Sequence, residues 1–102
     1  MARVALICPD LLFGSKLRGA LQAAGHEVVG PDDPADALVV DLTAEVEDRL
    51  ARAAGSSLPK LAFYSHVEVD VRRRAEEAGI DRVVPRSRMA REAAALVERL
   101  LA

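Results

Sequence analysis

The apolar residues of this chain follow two alternating rhythms: short unbroken runs, and longer stretches in which they recur every three or four positions. Val4-Ala5-Leu6-Ile7-Cys8 has no charged or amide member, as expected of a strand buried on both faces. Phe13, Leu17, Leu21 and Ala24 then mark one face of a helix, which Gly25 is placed to stop. His26 to Val29 predicts a short second strand. The stretch Gly30-Pro31-Asp32-Asp33-Pro34 breaks either regular structure, because it holds two prolines and a glycine. Ala37-Leu38-Val39-Val40 is the third strand and closes at Asp41. Val46, Leu50 and Ala53 mark the next helix, ending near Gly55-Ser56-Ser57. After Pro59, Leu61-Ala62-Phe63-Tyr64 forms a fourth strand, and Val67, Val71, Ala75 and Ala78 line a helix that ends at Gly79. Arg82-Val83-Val84 is a brief fifth strand halted by Pro85. Met89, Ala93, Leu96, Val97 and Leu100 form the inner stripe of a last helix.

The element order is therefore β-α-β-β-α-β-α-β-α. Strands separated by helices pair in parallel through right-handed crossovers, with helices on both faces. The pattern predicts an α/β, doubly wound, five-stranded parallel sheet with four helices. One crossover helix is missing: only a loop spans Gly30 to Asp36. With 102 residues there is room for one core, so residues 1–102 are expected to form a single domain. In such sheets, ligands and chemistry gather at the carboxyl ends of the strands.

Composition narrows the functional classes. Hydrophobic residues make up 51% and charged ones 29%, an ordinary globular balance. No apolar run approaches the ~18 residues of a membrane span. The run after Arg3 is too short and wrongly flanked for a signal peptide, so a cytoplasmic location is expected. A net charge of −2 exerts no general pull on nucleic acid. The cluster Arg72-Arg73-Arg74 is followed by Glu76 and Glu77, which makes a solvated or protein-contacting face the better reading. A single cysteine, Cys8, rules out an intrachain disulfide and any multi-cysteine metal site.

Chemistry-bearing residues stand at four strand ends: Pro9 and Asp10, then Asp41, then Ser65 and His66, then Pro85, Arg86 and Ser87. The segments Ile7-Cys8-Pro9-Asp10, Val39-Val40-Asp41, Tyr64-Ser65 and Val83-Val84-Pro85-Arg86 resemble response-regulator receiver domains over nearly the whole chain. The resemblance implies a flavodoxin-like sheet in the order 2-1-3-4-5. It also implies Asp41 as phosphoacceptor, Ser65 as the hydroxyl contacting a phosphoryl oxygen, and Asp10 with Asp41 as magnesium ligands. Cation and lysine would neutralise charge developing during phosphoryl transfer.

Five departures weigh against that chemistry. Pro9 replaces one of the acidic pair. Pro85 occupies the lysine position, and Arg86 follows one residue late. Arg82 stands where an aromatic responds to phosphorylation, and bulky His66 stands where a small residue admits the phosphoryl group. The Met-Pro and Asp-Gly signals are absent from Asp41-Leu42-Thr43-Ala44-Glu45-Val46. Together they predict a degenerate, non-enzymatic pseudo-receiver with no resident cofactor, acting as a regulatory or adaptor domain through protein contacts. Arg86 set against Asp41 would neutralise the site permanently. By the same resemblance, the fourth helix, fifth strand and fifth helix of relatives form the partner surface. Here it would carry Arg72, Arg73, Arg74, Arg82, Arg88 and Arg91 among Glu76, Glu77, Glu92 and Glu98, and would suit a homodimer or another protein. The alternative is a genuine receiver phosphorylated on Asp41 with an altered site.

Structural roles compete for the same residues. Asp10 suits the first-helix cap. Ser65-His66-Val67-Glu68 fits a capping box, and Ser87 suits the cap of the last helix. His66 is expected in a solvated loop and His26 at a helix exit. An enzymatic alternative would use Cys8 as nucleophile in a phosphate loop. Pro9 lacks an N–H, however, and Asp10 repels anions, so this reading is rejected. A flavin module fails for want of a Ser/Thr-rich loop.

Overall fold

The apolar runs become strands and the periodic stretches helices in the computed structural model, which describes residues 1–102. In chain order the elements are β1 (Arg3–Ile7), α1 (Leu11–Ala23), β2 (Glu27–Val29), β3 (Ala37–Asp41) and α2 (Val46–Ala54). They continue with β4 (Lys60–Tyr64), α3 (Val69–Glu77), β5 (Arg82–Pro85) and α4 (Arg86–Leu101). All strands pair in parallel, in the order β2-β1-β3-β4-β5. The predicted sheet, helix number and strand order are thus observed. No helix is long and apolar enough to cross a membrane.

Strand side chains alternate between two layers. Val4, Leu6, Val39, Leu61, Phe63 and Val84 pack against Phe13, Leu17 and Leu21 of α1 and Met89, Leu96 and Val97 of α4. On the other face Ala5, Ile7, Val40, Ala62 and Tyr64 meet Ala53 of α2 and Val71 and Ala75 of α3. Every residue of β3 is buried, so the carboxyl end of β3 is where the chain must deal with a buried acid.

Residues 30–36 form no helix. The Gly30 N–H donates to Asp33 Oδ2 at 2.9 Å, and the Arg3 N–H donates to Asp36 Oδ2 at 2.8 Å. Side chains thereby replace helical hydrogen bonds and tie the loop to β1. Gly25 and Gly79 follow α1 and α3 with φ of 89° and 90°, a left-handed conformation that suits glycine at a helix stop.

Several local expectations are corrected. Ala24 and Ala78 are exposed, each beyond the last residue of its helix. Val67 lies outside α3 and is exposed, so it is no part of a buried stripe. His26 is a buried bridge as well as a helix exit. Its Nδ1 accepts the Ala2 N–H at 3.1 Å, which leaves the proton on Nε2 to donate to Glu98 at 3.0 Å. At Glu92, with φ −128° and ψ 24°, α4 is interrupted.

Candidate functional site

Asp41 ends the central strand only 3% exposed, yet both of its oxygens are engaged. Oδ1 accepts the Thr43 N–H at 2.8 Å and also the Thr43 hydroxyl, an Asx-type turn that leads the chain out of β3. Oδ2 lies 3.5 Å from Arg49 Nη1 and 3.7 Å from Cys8 Sγ. The same Arg49 Nη1 donates to the Asp41 carbonyl at 2.9 Å, and Nη2 reaches Glu45 Oε2 at 3.1 Å. Arg49 is itself 9% exposed. A buried carboxylate is costly unless paired and hydrogen-bonded, and Arg49 supplies the charge.

The expectation that Arg86 neutralises Asp41 is therefore corrected: the cation is Arg49. Arg49 comes from α2, in the stripe Val46, Arg49, Leu50, Ala53. A guanidinium at a core position of an amphipathic helix, four residues after Glu45, was the available signal. Glu45 holds φ of 48°, the one non-glycine residue in the left-handed region. That conformation is unfavourable for a residue with a Cβ, and it stands directly before α2, where the Glu45 carboxylate meets Arg49.

Asp10 takes the capping role, one of the two its position offered: Oδ1 accepts the Phe13 N–H at 3.0 Å. Its Oδ2 lies 3.6 Å from Arg86 Nη2. Arg86 lies over the Phe13 ring, 4.2 Å from the centroid, which fixes its direction by cation–π attraction. Asp10 and Asp41 each face their own arginine. No three His, Cys, Asp or Glu side chains converge on one point.

Cys8 sits beneath Asp41. Burial first, then the Asp41 charge, pushes its thiol up to about 11. A protonated thiol beside a carboxylate is a weak nucleophile. A Cβ on Gly14 would come within 3.2 Å of the Cys8 carbonyl oxygen, so glycine is what lets α1 approach the end of β1 so closely.

The two serines fall elsewhere than the capping patterns suggest. The helix after β4 begins at Val69, with Glu68 in the cap position and no side-chain cap bond, so Ser65 is no capping-box serine. Its carbonyl accepts the Glu68 N–H at 2.8 Å in a turn that precedes the helix. Pro85 holds the cap position of α4, and Ser87 lies inside the first turn. His66 is exposed in the β4–α3 loop, as expected. Ser65, His66, Arg86 and Ser87 come together with Phe13 and Lys16 around a cavity of about 490 Å³ between α1 and the start of α4. Asp41 does not line it.

On the face formed by α3, β5 and α4, most of the charges pair within the chain. Arg72 meets Glu76 at 3.5 Å, Arg73 meets Asp70 at 2.7 Å, and Arg88 and Arg91 meet Glu92 at 3.4 and 3.9 Å. Arg74 instead reaches Glu47 of α2 at 3.2 Å, away from that face. Arg82 is exposed and belongs to no ion pair.

No protein-family model and no curated relative matches the sequence. Solved structures do. NtrX from Brucella abortus, crystallised in complex with ADP, superposes with a TM-score of 0.83 at 17% identity over 98% of this chain. This chain spans only 27% of that protein. The non-phosphorylated HemR receiver domain from Leptospira biflexa gives 0.79 at 19% identity, covering 100% of this chain and 95% of that one. A response regulator from Thermotoga maritima gives 0.79 at 13% identity, covering 97% and 96%. With the strand order β2-β1-β3-β4-β5 and four flanking helices, these likenesses establish that the chain has the fold of response-regulator receiver domains.

Proposed function

We propose that this chain is a receiver-like regulatory domain that works through protein contacts, without phosphotransfer and without catalysis of its own. The observation that carries the reading is the occupation of Asp41. One oxygen is held by Thr43, the other by Arg49 and Cys8, and the carboxylate is almost wholly out of water. A phosphoacceptor must present an oxygen in line with an incoming phosphoryl group and keep cations free to neutralise it. Here the cation at Asp41 is already spent on the resting carboxylate, the lysine position is Pro85, and Arg86 is turned to Asp10 and Phe13.

The test is incubation with acetyl phosphate and magnesium followed by intact mass spectrometry, with a beryllofluoride titration followed by NMR. The expected result is no phosphoryl adduct and no beryllofluoride-dependent shift around Asp41. A stable adduct on Asp41, lost in Asp41→Asn, overturns the reading in favour of a genuine phosphorylated receiver.

The contact surface we propose is the face of α3, β5 and α4, carrying Arg73, Arg82, Arg88 and Arg91. Its mixture of charges suits an isologous contact between two copies, in which each residue meets a different one.

A further inference from the structure

We propose that the cavity between α1 and the start of α4 binds a phosphate monoester, a site separate from Asp41 and independent of whether Asp41 is ever phosphorylated. The chain carries 16 acidic residues and a net charge of −2, yet no acid lines this cavity, while two cations, an imidazole and two hydroxyls do. Lys16 belongs to none of the ion pairs of the molecule and projects from an exposed position of α1. Arg86 has one acidic neighbour, Asp10, at 3.6 Å, and both side chains are about half exposed, at 49% and 47%. A surface pair of that length is worth only ~0–1 kcal/mol and yields readily to a better anion.

The cavity offers both modes of anion recognition. A guanidinium meets phosphate oxygens as a fork, and an ammonium meets them as a point charge. Packing over Phe13 at 4.2 Å holds the Arg86 plane in place, which lowers the ordering cost of binding. No side chain caps α4, and the first N–H groups of a helix lack intrahelical partners. The Ser87 hydroxyl and amide therefore add donors at the cavity edge. The volume of about 490 Å³ lies within the roughly 300–1,000 Å³ of small-molecule sites, so an organic body fits beside the phosphate. The exposed His66 ring supplies a flat wall for it.

The experiment is an NMR titration of the ¹⁵N-labelled chain with inorganic phosphate and with phenyl phosphate, against chloride at matched ionic strength. Saturable shifts are expected at the amides of Lys16, Ser65, His66 and Ser87, with phenyl phosphate binding more tightly. Lys16→Ala, an exposed change that leaves the core intact, should weaken binding roughly tenfold, the scale of one lost charge-assisted contact. Arg86→Ala should do the same, and Asp41→Asn should leave the titration unchanged. Shifts that chloride reproduces, or that Lys16→Ala leaves untouched, overturn the site. Loss of binding in Asp41→Asn overturns its separateness, and equal affinity for inorganic phosphate overturns the monoester assignment. Phosphorylation of Asp41 would contradict the proposed function without touching this result.

Discussion

At Asp41 a buried charge is compensated by three hydrogen-bond donors and one guanidinium, and the balance among them decides how each substitution behaves. Arg49 is the only cation on the carboxylate, and its side chain is about as buried as that of Asp41, at 10% and 4% exposure. Removing one member of a buried ion pair leaves the other uncompensated. Arg49→Ala should therefore lower unfolding stability by about 3 kcal/mol, measured by urea denaturation. Asp41→Asn should cost less, because Arg49 keeps the Asp41 carbonyl and Glu45 as partners. Combining Asp41→Asn with Arg49→Met should recover much of the loss, since neither change then strands a charge. Additive losses in the double variant would mean that the pair is not the interaction that matters.

The helices owe their limits to different devices. Asp10 caps α1 through the Phe13 N–H and also lies 3.6 Å from Arg86, so one side chain serves a helix start and a surface ion pair. Asp10→Ala should destabilise the domain by about 1 kcal/mol, as measured by urea or thermal unfolding. Asp10→Asn keeps the accepting oxygen and should cost a few tenths of that at most. An equal loss in both variants would assign the effect to the Arg86 contact. Between β2 and β3, Asp33 and Asp36 accept the backbone N–H groups of Gly30 and Arg3. Two carboxylates thus stabilise a connection too rich in proline to be helical. In α4 the interruption at Glu92 coincides with its contacts to Arg88 and Arg91, which puts three charges at the break.

For the whole molecule, the proposed cavity site and the proposed contact face meet on one helix, α4. The cavity takes Arg86, Ser87 and Ala90 from the start of α4, whereas the contact face takes Arg88 and Arg91 of that helix together with α3 and β5. Exposed ion pairs contribute little singly, so the face should tolerate single changes and respond only to several together. Sedimentation should show a dimer that weakens when Arg73, Arg82 and Arg91 all become glutamate, with circular dichroism unchanged. A chain that is monomeric at high concentration, and that loses no partner on the same reversal, would remove this face from consideration.

Periodicity in the sequence determined the elements and their order, because burial on a strand repeats every two residues and on a helix every three or four, whatever the final partners. The same local logic located the broken crossover at Gly30 to Asp36, the cap at Asp10 and the cluster of polar residues at the strand ends. Pairing of charges was another matter. The sequence offered Arg86 as the cation for Asp41 and did not single out Arg49. Only the packing of α2 against β3 and of Arg86 on Phe13 decided which arginine went where. Ser65 and Ser87 satisfied capping patterns, but a turn from Ser65 to Glu68 and the extended backbone of Pro85 placed the helix starts elsewhere. A long flexible side chain or a single cap costs about as much to reposition as it gains. Such choices are therefore made by the core around them, and that core exists only once the sheet and its four helices have closed.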